Sequence, residues 1–449
     1  MMSNNLFQQL QLLKDNNKSI KIGIVGIGKF STMFLSQARV TEGFKILALA
    51  DLKYSNAENA LKKAGYSDTS DILVNSLNEA DSDNKIWFTE DGSELSSSHQ
   101  LDIVIEATGN VEAAIIHAVN AFNANSHVIM VTVEADALCG KALYKKSLSA
   151  GVVYSMAYGD QPAIICEMID QLRSSGMEIV CAGKGTKYLP EYHDSTPDTA
   201  LSLHGFSDKE AEKGGLNPKM FNAFIDGTKS SIEMAAVANA TGIQVQDNGL
   251  YFPPAGCSSL PQILKSKELG GVLDKEGVVE VVSSLERNGE EIKDHIRFGV
   301  FVVYKANSKY VANCFNEYGL ATDSSGLYSC LWRPFHLIGL ELGYSVAKCF
   351  LDKKATGVSR FFNGDVVSVA KKNLKVGDML DGEGGETVWG KLMPAQKSID
   401  HKAIPIGLSN KIKIIKNVQK GNIITEEHVE KLPDTLALQL RKEMLIKSD

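Results

Sequence analysis

The chain has 449 residues, 44% of them hydrophobic and 22% charged, with a formal net charge of −7. That length suits two or three domains, each large enough for its own core. The acidic balance argues against nucleic acid or an anionic membrane as partner.

The start, Met1 to Asn17, is polar and mildly amphipathic, without the apolar centre of a signal peptide, and no apolar run reaches membrane-spanning length. The seven cysteines are scattered and never spaced C-x-x-C. This fits reduced thiols in a cytoplasmic protein rather than a disulfide framework or a zinc site.

The first motif is a βαβ pattern. Ile22 to Val25 is an apolar strand that runs into Gly26-Ile-Gly28-Lys29-Phe30-Ser31 and a helix to about Ala38. A second apolar strand, from Lys45, ends at Asp51. Gly26 permits the tight turn, Gly28 lets a pyrophosphate approach the helix N-terminus, and Ser31 is small enough for close packing. Asp51 stands where a carboxylate accepts bonds from ribose hydroxyls. Lys29 and Phe30 belong to the same cofactor set.

Leu101 to Gly109 reads as another buried strand, whose end (Ala107, Thr108, Gly109) faces the nicotinamide side. His127 to Val133 is the next strand, and Gly151 to Ser155 the last of the alternating set. Glu134 and Asp136 directly follow a strand, so they point into the cleft or cap the next helix. Alternating strands and helices predict an α/β fold with a doubly wound parallel sheet.

Further on, Glu178 to Ala182 reads as a strand opening into a loop, Gly183 to Tyr188. That loop offers backbone amides together with Lys184 and Lys187 to an anion, or is an ordinary glycine-rich turn. One long helix is expected from Asn217 to Ala240, which places Asp226, Lys229 and Glu233 on one face. That face is either a lined cavity or a solvated stripe. Val278 to Glu286 and Phe298 to Lys305 suggest antiparallel sheet. Trp332-Arg333-Pro334 starts a helix to about Leu351, with Arg333 holding an anion at its start and His336 either a ligand or a core histidine. Ala370 to Leu380 is echoed by Ile415 to Ile424, which suggests a small β domain. The expected domains are 1–157, 158–355 and 356–449.

The glycine turn, Glu106-Ala-Thr-Gly109, Tyr158-Gly-Asp-Gln-Pro162, Gly185-Thr186 and Ala240-Thr-Gly242 resemble homoserine dehydrogenase over about residues 20 to 350. Val131 to Leu138, Gly183 to Pro190, Asp226 to Gly242 and Gly384 to Pro394 are closer to the homoserine-dehydrogenase-like family with a C-terminal SAF domain. That family includes the 1-deoxy-D-xylulose 5-phosphate reductoisomerase-like enzymes of isoprenoid biosynthesis. The resemblance implies a Rossmann domain, a central α+β catalytic domain, a SAF-like β domain and a homodimer. It also implies NADPH and a divalent metal, Mg or Mn; Asp51 leaves NADH open as well.

By hand alignment, Asp136 and Glu233 stand where homoserine dehydrogenases have lysines, and Lys229 stands at their aspartate. A site with inverted charges suits a small phosphorylated or acidic polyol or sugar. Lys184, Lys187, Asp226, Lys229 and Glu233 are the catalytic candidates. Gly185, Thr186, Arg333 and His336 are substrate ligands, Glu134 joins the cofactor set, and Asp136 with Glu233 would hold the metal. The alternatives are a homoserine dehydrogenase-type oxidoreductase and a non-catalytic sensor of NAD(P) or sugar.

Overall fold

The computed structural model describes residues 5–67, 69–207 and 216–445, so the first four residues of the polar start lie outside it. The chain divides into two compact units. The first comprises residues 1–164, 337–358 and 435–449, and the second 165–336 and 359–434.

The first unit holds seven strands: β1 (Ile20–Val25), β2 (Phe44–Ala50), β3 (Leu73–Val74), β4 (Ile86–Thr89), β5 (Ile103–Glu106), β6 (His127–Met130) and β7 (Tyr154–Met156). They form one sheet in the order β3-β4-β2-β1-β5-β6-β7, with every pairing parallel. The strands read as unbroken apolar runs because helices cover both faces. The expected α/β doubly wound sheet is therefore present. Its strand order reverses at β1, whose Val25 pairs with Ala50 on one side and Glu106 on the other. A crevice at such a reversal is where these sheets bind ligands. Two later segments complete this unit. Leu342, Val346, Ala347 and Cys349, in and just before the helix Gly343–Leu351, lie in its core. The helix Leu436–Leu445 packs on the helices Val111–Asn123 and Val133–Ser149, where buried Arg441 donates to the Leu138 carbonyl at 3.1 Å.

The second unit is built on β8 (Glu178–Thr186), β9 (Val278–Ser283), β10 (Val300–Lys305) and β11 (Tyr328–Arg333), in the order β11-β10-β8-β9. β9 and β10 are not neighbours, contrary to the antiparallel pairing expected of them: β9 runs parallel to β8, and β10 antiparallel to it. β8 also runs on through the stretch expected to be a loop. Gly183 and Gly185 are there for close approach, since a Cβ at Gly183 would stand 1.7 Å from the Glu280 carbonyl oxygen.

The long helix expected from Asn217 is two helices, Pro218–Ile225 and Thr228–Thr241, broken by Gly227 at φ +87°. The helix expected from Trp332 begins at Gly343, and Arg333 instead ends β11.

Residues 359–434 share the second unit rather than standing apart as a β domain. β12 (Gly364–Ala370) pairs antiparallel with β14 (Val388–Pro394), and β13 (Met379–Asp381) with β15 (Asn410–Lys413). The two echoed segments face each other, with Leu374 and Val418 exchanging backbone hydrogen bonds of 2.8 and 3.0 Å. Asn239 ties this segment down: its Nδ2 donates to the Gly364 carbonyl at 3.0 Å, and its Oδ1 accepts from the Gly364 amide at 2.9 Å. Among the described residues no helix is long and apolar enough to cross a membrane.

Candidate functional site

In the first unit the glycine turn has the geometry that a dinucleotide requires. Gly26 has φ +90°, and a Cβ there would meet the Ala107 carbonyl oxygen at 2.6 Å. Gly28 is the N-cap of the helix Lys29–Ala38 and has open space where a Cβ would be. The first amides of that helix are thus free to meet a phosphate. Ser31 is buried and donates to the Gly26 carbonyl at 2.6 Å, closing the turn against the helix. Lys29 is exposed beside it, and Phe30 is partly buried against the core.

Asp51 couples the second strand to the turn. Its Oδ2 accepts from the Ile27 amide at 2.8 Å, and its Oδ1 from the Lys53 amide at 3.1 Å and Asn56 Nδ2 at 2.8 Å.

The loop Ala107–Thr108–Gly109 is held by Glu106, which has no solvent exposure. The Glu106 carboxylate accepts from the Thr108 hydroxyl and amide and from Thr132 Oγ1 at 2.6 Å, and His117 Nδ1 lies 3.5 Å away. Thr132 in turn accepts from the Gly109 amide at 3.0 Å. One buried carboxylate thereby fixes the two loops that follow β5 and β6. Sequence reasoning passed over Glu106 as part of a motif; an acid ending an apolar strand is the signal that singles it out.

Glu134 and Asp136 are neither of them the helix cap: Thr132 is the N-cap of Val133–Ser149, and both acids sit in its first turn. There they face the positive end of the helix dipole. Asp136 is 1% exposed and accepts from the Tyr154 hydroxyl at 3.1 Å. Burial, reinforced by the Asp136 charge, holds the Tyr154 phenol well above its ordinary pKa.

In the second unit Lys184, on β8, donates to the Glu233 carboxylate on the helix Thr228–Thr241. Lys229, half-buried, sits one turn before Glu233. The pairing bears on the expected metal site. Glu233 is engaged by an ammonium group, and among the described residues no three His, Cys, Asp or Glu side chains gather as metal ligands would. The Asp136–Glu233 metal site is therefore withdrawn. Its donor set does not fit Mg or Mn, which take several oxygen ligands.

Asp226 is not on a shared face with Lys229 and Glu233, because Gly227 interrupts the helix. It forms instead a wholly buried ion pair of 2.7 Å with Lys371, and it caps the Thr228 amide at 2.8 Å. Lys371 also donates to the carbonyls of Ser195 and Gly385, both at 2.8 Å, and Asn222 Nδ2 donates to Gly384 and Gly385. This network is structural, and it anchors the glycine-rich stretch before Trp389.

His193 lies among aromatic rings, stacked on Trp389 at 3.9 Å. Its Nδ1 donates to the Asp226 carbonyl at 2.7 Å and its Nε2 accepts from the Tyr188 hydroxyl at 3.0 Å. Burial pushes the imidazole below its ordinary pKa, which favours this neutral form. His193, Trp389 and Lys371 were missed by the sequence reading, since no periodicity links segments so distant in the chain.

The remaining candidates are dispersed over the unit. Gly185 and Thr186 end β8, and Lys187 follows with its Nζ donating to the Leu203 carbonyl at 2.6 Å. Arg333 is at a strand end with its guanidinium over Phe335, so the anion site expected at a helix start is absent there. His336 is half-buried rather than in the core, and its Nδ1 donates to the Phe298 carbonyl at 2.7 Å.

Residues 159–342 match the family model described as oxidoreductase DRL, catalytic domain. The oxidoreductase class expected from the sequence is borne out by this match. No curated protein compared with the chain is similar to it in sequence. Among solved structures, myo-inositol dehydrogenase from Lactobacillus casei, with NAD(H) and myo-inositol, is 16% identical at a TM-score of 0.29. That likeness covers 41% of this chain and 50% of that one. Apo scyllo-inositol dehydrogenase from the same organism is 12% identical at a TM-score of 0.40, covering 76% and 91%. A 3-ketoreductase from Actinomadura kijaniata, with NADP and TDP-benzene, is 13% identical at 0.27, covering 38% and 50%. These likenesses are distant, and the fold assignment rests on the strand order and parallel register described above.

Proposed function

We propose that the chain is an NAD(P)-dependent oxidoreductase acting at a hydroxy- or keto-bearing carbon of a small phosphorylated or acidic polyol or sugar, in the manner of the 1-deoxy-D-xylulose 5-phosphate reductoisomerase-like enzymes. The observation that carries this reading is the buried Lys184–Glu233 pair inside the stretch matched by an oxidoreductase catalytic domain. The glycine turn, with Asp51 and the Glu106-supported loop, is the proposed cofactor seat.

A bound nicotinamide would supply or take up the hydride. The protein's part is to move the matching proton. In reduction, Lys184 gives a proton from Nζ to the oxygen of the carbonyl as the hydride adds to its carbon, leaving an alcohol and a neutral amine. The Glu233 carboxylate holds the amine in place and favours its reprotonation from water. Lys187 and Lys229 are proposed ligands of the substrate's acidic group. No step is routed through a metal, since the described donors do not fit one. The same proposal takes the protein to be a cytoplasmic homodimer.

The inverted charges at Asp136, Lys229 and Glu233 support this substrate class over an amino-acid alcohol. The test is a panel of polyols, hydroxy acids and sugar phosphates assayed with NADH and NADPH. Turnover of at least one member, abolished in Lys184→Met, is the expected result. Cofactor binding without turnover of any member would favour the non-catalytic sensor instead.

A further inference from the structure

The second unit contains two cations, with a histidine beside them, that neither the ion-pair network nor the hydride chemistry uses. Its scaffold is the end of β8. Because Gly185 has no side chain, the chain at Ile296–Arg297 closes on it: a Cβ there would stand 2.1 Å from the Ile296 carbonyl oxygen and 2.9 Å from the Arg297 amide nitrogen. Lys187 follows two residues on, and its Nζ reaches the Leu203 carbonyl at 2.6 Å. The next residue, His204, donates from Nε2 to the Phe221 carbonyl at 3.2 Å with its ring edge-on to Phe221 at 5.0 Å. Lys187, Arg297 and His204 are thus brought together from three separate segments.

Arg297 is the informative member. It is half-buried, with its guanidinium 5.1 Å from the centre of the Phe298 ring, yet no carboxylate or carbonyl among the described residues accepts its protons. A guanidinium presents five donors in a rigid fork that matches carboxylate or phosphate oxygens.

Among the described residues the charges around it are unbalanced. Burial lowers the proton affinity of Lys187, and the Arg297 charge lowers it further. His204 is likewise lowered by burial and then by Arg297 and Lys187, against the pull of its bond to Phe221. Among the described residues the opposing charge is the Glu291 carboxylate. Glu291 is 63% exposed and already pairs with His295 Nε2 at 3.0 Å. Like charges partly removed from water are costly unless a counter-charge joins them.

We propose that Arg297 and Lys187, with His204 beside them, form a subsite for an oxyanion, the phosphate or carboxylate of the substrate, with Arg297 as the forked ligand. This deepens the proposed reading of the substrate as phosphorylated or acidic and rests on it, but it is tested without turnover. The full chain, saturated with NADH to fill the cofactor seat, is titrated with inorganic phosphate, sulfate and acetate by calorimetry and thermal melting.

The wild type should bind at least one of these anions. Preference for phosphate and sulfate marks a phosphate subsite, and preference for acetate a carboxylate subsite. Arg297→Met should weaken binding about tenfold, the magnitude of one charge-assisted contact. Lys187→Met reads the same site should the first variant fold poorly. Glu291→Gln should strengthen binding several-fold, because it removes the opposing carboxylate found among the described residues. No anion binding by the wild type, or equal binding by the wild type and both cation variants, would overturn the subsite. A blank substrate panel together with anion binding lost in Arg297→Met would count against the reaction and for the subsite.

Discussion

Lys184 on β8 and Glu233 on the helix Thr228–Thr241 are enclosed to 5% and 2% exposure and hold each other's charge inside the second unit. Under the proposed function this pair serves structure and proton transfer at once, and the two roles separate by mutation. Removing either partner breaks this buried pair, so Lys184→Met and Glu233→Gln should each cost about 3–5 kcal/mol. The double variant Lys184→Met, Glu233→Leu should recover most of that stability, because no orphan charge remains. Turnover should stay about a hundredfold or more below wild type in all three. Melting curves and kcat give the answer, and recovery of turnover in the double variant would make the pair purely structural.

Asp51 bonds the Ile27 amide and stands at the end of β2, so it shapes the turn, and it is the proposed ribose ligand. Its charge opposes a 2′-phosphate. Asp51→Ala should therefore raise the NADP-to-NAD ratio of kcat/KM by about tenfold or more, a change of roughly 1.4 kcal/mol in relative barrier. Steady-state kinetics with both cofactors checks this, and an unchanged ratio removes Asp51 as the ribose ligand.

Glu280 lies within β9, wholly buried, and accepts from the amides of Tyr251, Phe252 and Val281 and from Gln246 Nε2. Burial outweighs these four donors and pushes its pKa from 4.5 up to about 8. Because the folded state binds this proton more tightly than the unfolded chain, its contribution is full below about 4.5 and falls as pH rises toward about 8. Glu280→Gln should flatten that part of the stability profile. Urea unfolding of both proteins across this range tests it, and identical slopes would refute the assignment.

A chain ended at Asn363 should not keep the second unit folded. Asp226 would lose Lys371, Asn222 would lose Gly384 and Gly385, and Asn239 would lose Gly364. The milder Asn239→Ala should already cost about 2–3 kcal/mol, because the amide of Gly364 loses its acceptor. Circular dichroism and amide dispersion report the outcome. A truncated chain with native dispersion would show that residues 364–449 are dispensable for the fold of the second unit.

The glycine turn was legible because it is local: one strand, one turn, one helix and an acid, all within some thirty residues. Elsewhere local signals gave two answers. Gly183 and Gly185 read as a loop, yet they are glycines because carbonyl oxygens of Glu280 and Ile296 press on them within a sheet. Pro334 read as a first helical position, but it follows the last residue of β11. Gly227 stood inside a helical pattern, where a lone glycine is often tolerated, but its positive φ ends one helix and begins another. The Asp226–Lys371 pair was beyond reach, since its members are linked only by the finished fold.

The parentage of the first unit constrains how it is made. Its sheet is complete by Met156, but its core still waits for Leu342 to Cys349, and its outer layer for the helix Leu436–Leu445. During synthesis the glycine turn therefore exists long before the segments that complete its unit. The nascent sheet carries uncovered apolar surface while the whole second unit is being translated, an interval in which chaperone capture or aggregation competes with folding. A nick between residues 434 and 436 would recreate that interval in the mature protein.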